Sequence, residues 1–173
     1  MSAEATVREY YEALRRGDPL APYFAGDRPA GDDAAGADDG AGLAAGSEDA
    51  AVVKYGIGER LVGHDAIAAG LREQTRTTAD WTVESAALRV VERPAYAWFS
   101  DEVFLAWTDR EADRERAFDT RWSGTLERRA AGDGDDGWRF VGMHVSVPHP
   151  IGAEDAEDAD GEGTSDGRDA GRV

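Results

Sequence analysis

Apolar residues fall at Val7, Tyr10, Tyr11 and Leu14, an i, i+3, i+4, i+7 pattern that predicts a helix over residues 3–16. Ser2 can cap its start, Arg15 and Arg16 suit its C-terminal dipole, and Gly17 stops it. Asp18-Pro19 then reads as a cap and a first-turn proline, opening a short helix through Phe24. AVVKYGI at 51–57 is β-branched and apolar enough for a strand, with 59–62 as its hairpin partner. Gly63-His64-Asp65 opens a second helix to about Arg76, with His64, Ile67, Ala68 and Leu71 on one face.

From there the pattern turns to β. Strands are predicted over 81–91, 96–108, 115–129 and 138–147, separated by Arg93-Pro94, a charged turn at 109–114 and a Gly/Asp-rich loop at 132–137. Consecutive long strands on short turns imply an antiparallel meander. Helices first and strands afterwards imply an α+β fold with the helices on one face of a curved sheet.

Charge divides the chain further. Of the net −17, six charges lie in residues 25–50 and six in 150–173, both built largely from Gly, Ala, Asp and Glu. Such segments bury too little apolar surface to offset their ordering entropy. The expected organisation is one domain from 1–24 and 51–148, an acidic disordered insert at 25–50 and an acidic disordered tail at 149–173. A tail of this kind could also recruit a basic partner. Eighteen arginines stand against a single lysine, Lys54. Acid excess with almost no lysine suggests a cytoplasmic protein of an extreme halophile, a halophilic archaeon, where salt screens carboxylate repulsion.

Composition excludes several chemistries. There is no cysteine, so disulfides, zinc-thiolate sites and cysteine nucleophiles are ruled out. The longest stretch without a charged residue, 140–153, is too short for a membrane span and contains prolines. Neither a signal peptide nor nucleic-acid binding is expected, the latter because it needs clustered Lys and Arg. No cofactor motif is visible; Gly56-Ile57-Gly58 is too short to cradle a phosphate. His64, His144 and His149 are far apart, so no metal site is expected either.

The candidate chemistry lies on the strands. Strict alternation puts Trp138, Phe140, Gly142, His144 and Ser146 on one face of the last strand. His144 is then a candidate acid, base or donor near neutral pH, flanked by Ser146 and Arg121, or else a structural histidine. Asp101 is a candidate proton shuttle in an apolar cone, or else one member of an ion pair. Arg121 could clamp an anionic group through its planar fork. Tyr10, Tyr11, Tyr55, Trp98 and Trp122 are candidate ligand-lining aromatics, with core packing as the plain alternative.

Several local sequences carry a family resemblance. VVKYGIGERLVGHDAI resembles the SnoaL-like strand, Gly-x-Gly hairpin and helix start. AYAWFSDEV, TRWSGTLERR and DGWRFVGMHVSVP resemble that group's later strands. Their order resembles the cone-shaped nuclear transport factor 2-like fold over residues 3–24 and 51–148. The resemblance implies one conical small-molecule pocket and a homodimer through the sheet's outer face. It does not imply one reaction, since the superfamily holds isomerases, cyclases, dehydratases, hydrolases and non-catalytic assembly domains. The ketosteroid isomerase branch uses a helix-one tyrosine, which Tyr10 or Tyr11 would match. His144 and Ser146 stand where SnoaL-type cyclases would have an aspartate, a departure that argues against polyketide cyclisation. Two expectations follow: a pocket protein for a small apolar ligand, with acid–base chemistry of isomerase or hydrolase type, or a non-catalytic homodimeric module.

Overall fold

A computed structural model describes residues 1–26, 52–129 and 137–148. The proposed acidic insert from residue 27 onward, and the tail from 149, lie outside the described residues. Helix α1 (Ala3–Arg16) begins where the Ser2 hydroxyl accepts the Ala5 N–H at 3.1 Å. It ends at Gly17, whose φ of 70° is a left-handed cap that glycine adopts without a Cβ penalty. Val7, Tyr10, Tyr11 and Leu14 are buried on one side of it, as the periodicity predicts. The short helix expected through Phe24 contracts to a single 3-10 turn, Ala21–Tyr23.

The sheet has seven strands among the described residues: β1 (Val53–Gly56), β2 (Glu59–Val62), β3 (Thr78–Ser85), β4 (Arg89–Glu92), β5 (Tyr96–Asp109), β6 (Arg114–Arg129) and β7 (Gly137–Ser146). Helix α2 (His64–Thr77) lies between β2 and β3. The strand order is β2-β1-β7-β6-β5-β3, with β4 also pairing with β5. Every pairing is antiparallel except β1 with β7, which is parallel. The fold is the nuclear transport factor 2-like α+β architecture, a curved, unclosed sheet with the helices against its inner face.

Three departures from the sequence pattern shape the interior. The strand expected at 81–91 is two strands, separated at Ala86–Leu88. There the Ala86 N–H donates to Glu102 O at 2.8 Å, and the Ala87 N–H turns to the Asp101 carboxylate at 2.9 Å. A run of Ala-Ala-Leu hides that break from any apolar pattern. Asp80, with φ 54°, marks a bulge between Ala79 and Thr82 that lets β3 begin three residues early, at Thr78.

The third departure is in β7. Thr125 pairs with Gly142 while the next residue, Leu126, pairs with Phe140, so Val141 is an extra residue. One extra residue exchanges the two faces of everything beyond it. Trp138 and Phe140 point inward before the bulge; Met143 and Val145 are the buried residues after it. His144 and Ser146 are therefore not on the face of Trp138 and Phe140.

The core sits between α1, α2 and the inner sheet face. Tyr10 packs edge-on to Tyr23, Phe24, Trp122 and Phe140, with centroid separations of 5.3–6.2 Å. Ala25 is also buried, and its N–H donates to Phe140 O at 2.9 Å. Gly26 is tied to the sheet as well, its carbonyl accepting from Arg129 at 3.0 Å.

Candidate functional site

Between the helices and the wide end of the sheet lies a cavity of about 470 Å³. That volume is in the range of ligand pockets, roughly 300–1,000 Å³. Leu105 and Trp107 reach it from β5, Phe118 and Trp122 from β6, and Met143 and Val145 from β7. Alternation puts each pair on the inner face, and the Val141 bulge is what turns Met143 and Val145 inward. Trp81 and Trp107 stack at 4.9 Å with 21° between planes, and Phe118 continues the wall 5.5 Å from Trp107. The wall is flat, aromatic and partly exposed to the cavity. Trp81 is held in place by its indole N–H, which donates to Thr78 Oγ1 at 3.0 Å.

The polar groups gather on the β1–β2 side. Lys54 lines the cavity and is 5% exposed; its ammonium pairs with the Glu59 carboxylate across the hairpin. Gly56 permits this pairing. A Cβ at Gly56 would stand 2.5 Å from Glu59 Oε1 and 2.6 Å from its Cγ, so any larger residue pushes the carboxylate away. The Tyr10 side chain lines the same cavity, and its hydroxyl has no hydrogen-bond partner among the described residues. Burial, and secondarily the negative Glu59, push the Tyr10 pKa well above the ordinary tyrosine value, so the hydroxyl keeps its proton. On the opposite rim Asp109 pairs with Arg116 at 3.7 Å. Glu73 is bound by Arg76, which holds its carboxyl below the usual range.

The residues singled out from the sequence divide into three places. Tyr10 and Trp122 line the cavity. Tyr11 and Asp101 are buried against each other and do not line it. His144, Arg121 and Ser146 lie across the sheet, where with Asp101 and Ser123 they border an outer-face groove of about 440 Å³. His144 and Arg121 are exposed there, and among the described residues no hydrogen bond links them to each other or to Asp101. Tyr55 is 43% exposed with its ring 5.9 Å from His144, and Trp98 is 42% exposed, stacked on Tyr96 and covered by Arg93. The predicted flanking of His144 by Ser146 and Arg121 is thus found, but on the side away from the helices.

Sequence reasoning missed Lys54, Glu59, Trp81 and Trp107 as cavity groups. A signal existed for Lys54: it is the only lysine, and it interrupts an apolar strand. Among the described residues no group of His, Asp or Glu is placed to hold a metal ion, and no helix is long and apolar enough to cross a membrane.

Comparison with known proteins fits this geometry. Residues 32–150 match the SnoaL-like domain family. The chain belongs to that family. The match takes in part of the acidic segment that the sequence pattern set apart as an insert. A nuclear transport factor 2-like superfamily protein from Salmonella enterica serovar Typhimurium superposes with a TM-score of 0.62 at 15% identity, covering 87% of this chain and 91% of that one. A ketosteroid isomerase-like protein from Erwinia carotovora gives a TM-score of 0.59 at 16% identity, covering 85% and 94%. At such identities the likeness concerns the fold. No curated protein matches the chain.

Proposed function

We propose that this SnoaL-like protein binds a small, flat, mostly apolar molecule in the inner cavity. The observation that carries this reading is the Trp81–Trp107–Phe118 wall, three rings in sequence that line the cavity, the two indoles backed by the core. Stacked indoles offer area to a planar ligand at little conformational cost. The function is read as binding rather than turnover. Both cavity carboxylates on strands, Glu59 and Asp109, are engaged by cations, whereas a general base must reach the proton it removes. The test is a thermal-shift and tryptophan-fluorescence screen of planar aromatic compounds in molar KCl. Ligands should raise the melting temperature of the wild type and lose most of that effect in Trp107→Ala. Hits unaffected by Trp107→Ala would move the site elsewhere.

A second reading, a homodimeric module, is favoured by the outer sheet face. Tyr96, Trp98 and Phe104 are exposed there at 52%, 42% and 38%. A second copy seated on this face would cover them. Light scattering should then give a dimer for the wild type and a monomer for Trp98→Arg/Phe104→Arg; a wild-type monomer at micromolar concentration removes this reading.

The charge composition adds an environment. We read the net −17 as adaptation to concentrated salt in the cytoplasm of a halophile. Screening shortens from roughly 10 Å at 0.1 M to 3 Å at 1 M, so repulsion between acids fades. The melting temperature should climb steadily from 0.1 M to molar KCl, and a flat profile would argue against the adaptation.

A further inference from the structure

Taking the inner cavity as a ligand pocket, the position of Lys54 raises a question that packing does not answer. A lysine ammonium is rarely buried, because its desolvation is costly unless a partner compensates. Lys54 has one such partner, Glu59. The two are unequally placed, with 6% of the Lys54 side chain exposed against 39% for Glu59. The cation is fixed in the cavity wall, and the anion reaches it from solvent across the Ile57-Gly58 turn. An ammonium has three N–H donors, and Glu59 is its single partner among the described residues. Tyr10 lines the same cavity, and its hydroxyl has no hydrogen-bond partner among the described residues. The arrangement is a buried cation with donors to spare, capped by a carboxylate that the chain itself supplies.

We propose that Lys54 forms a recognition site for the carboxylate of a flat aromatic acid, and that Glu59 fills this site until such a ligand replaces it. The exchange is balanced in charge: one carboxylate leaves the ammonium as another arrives, and Glu59 regains full hydration at the surface. The aromatic body of the ligand would lie toward the Trp81–Trp107–Phe118 wall. Arg116 is a weaker anchor, since it is 35% exposed and already faces Asp109; a charge interaction gains most where water is excluded.

The experiment uses the full chain in molar KCl at neutral pH with two probes of one shape, 2-naphthoate and 2-ethylnaphthalene. Binding is followed by tryptophan fluorescence in the wild type, Lys54→Met and Glu59→Gln. The wild type should prefer the naphthoate. Lys54→Met should weaken naphthoate about tenfold or more, the scale of one charge-assisted hydrogen bond, and leave ethylnaphthalene unchanged. Glu59→Gln should bind naphthoate tighter than the wild type does, because the competing carboxylate is gone. Naphthoate affinity that is indifferent to Lys54→Met, or weakened by Glu59→Gln, overturns the proposal while ethylnaphthalene binding preserves the pocket. If neither probe binds the wild type, the pocket reading falls and this proposal with it. Should Lys54→Met not fold, Glu59→Gln decides alone, since tighter naphthoate binding is expected only of a competitor's removal.

Discussion

The Tyr11 hydroxyl donates to the Asp101 carboxylate at 3.2 Å, joining the first helix to the middle of β5. The other oxygen of Asp101 accepts the Ala87 N–H in the gap between β3 and β4. One buried side chain therefore fixes a helix and a strand break together. Asp101→Ala strands both donors and should cost about 1–3 kcal/mol in urea denaturation. Tyr11→Phe removes only one bond and should cost less. Equal stability of Asp101→Ala and the wild type would show that neither bond is needed.

Alkaline pH should bear most on the two fully buried helix tyrosines, although burial raises Tyr23 as well. Burial raises the pKa of Tyr10, with Glu59 adding to it, and burial together with Asp101 raises that of Tyr11, both from an ordinary value of 10.0. A group raised in the folded state holds its proton there after the unfolded chain has lost it. Its stabilisation is complete below pH 10.0 and declines as pH rises beyond that. Melting temperature should therefore fall above this point, and less steeply in Tyr11→Phe. Ultraviolet titration should show two tyrosines that ionise only with unfolding.

Two glycines should respond differently to alanine. A Cβ on Gly124 would lie 2.5 Å from Gly142 O and 2.6 Å from a Phe99 ring carbon, and a backbone carbonyl inside a bulge has little room to yield. Gly124→Ala should destabilise by about 1–3 kcal/mol, as overpacking does. Gly56→Ala clashes only with the Glu59 side chain, so its loss should come from the displaced Lys54–Glu59 pair and largely vanish in a Lys54→Met background, where the loss from Gly124→Ala persists. If Gly124→Ala is as stable as the wild type, the close approach at Gly124 is not a constraint.

The two ends of β7 offer a further contrast. Trp138→Ala empties a buried site and should cost about 3–5 kcal/mol. His144→Ala changes an exposed residue whose side chain makes no hydrogen bond among the described residues, and should stay within about 0.5 kcal/mol. A large loss from His144→Ala would mean that another molecule covers the outer face.

The periodicities of α1, α2, β5 and β6 were legible because each element keeps one period from end to end. Val7, Tyr10, Tyr11 and Leu14 are buried where the pattern puts them, whereas the two faces of β5 are both mixed in sequence and only the structure shows that Phe99, Val103 and Leu105 face inward. The face of His144 was not legible. Val141 sits among apolar residues, nothing local marks it as extra, and the slip it introduces exists only relative to β6. The break at Ala86–Leu88 was hidden in the same way, since it depends on a carboxylate fourteen residues downstream. Tyr10 and Trp122 were found as cavity groups because aromatics on an inner face have few other places to point. Lys54 and Glu59 were passed over because their pairing needs a hairpin and the absence of a Cβ at Gly56, neither of which shows in composition.

The parallel pairing of β1 beside β7 has a consequence for how the chain acquires its shape. Residues near position 54 cannot find their sheet neighbour until those near position 143 have been synthesised. The β3–β6 meander and the β1–β2 hairpin can each form from near neighbours, but β1 joins the sheet only once β7 is in place. Contacts so distant along the chain are slow to form, because loop closure must be met before they contribute. The cavity wall that carries Lys54 therefore depends on the last strand of the sheet, although it is made near the start of the domain.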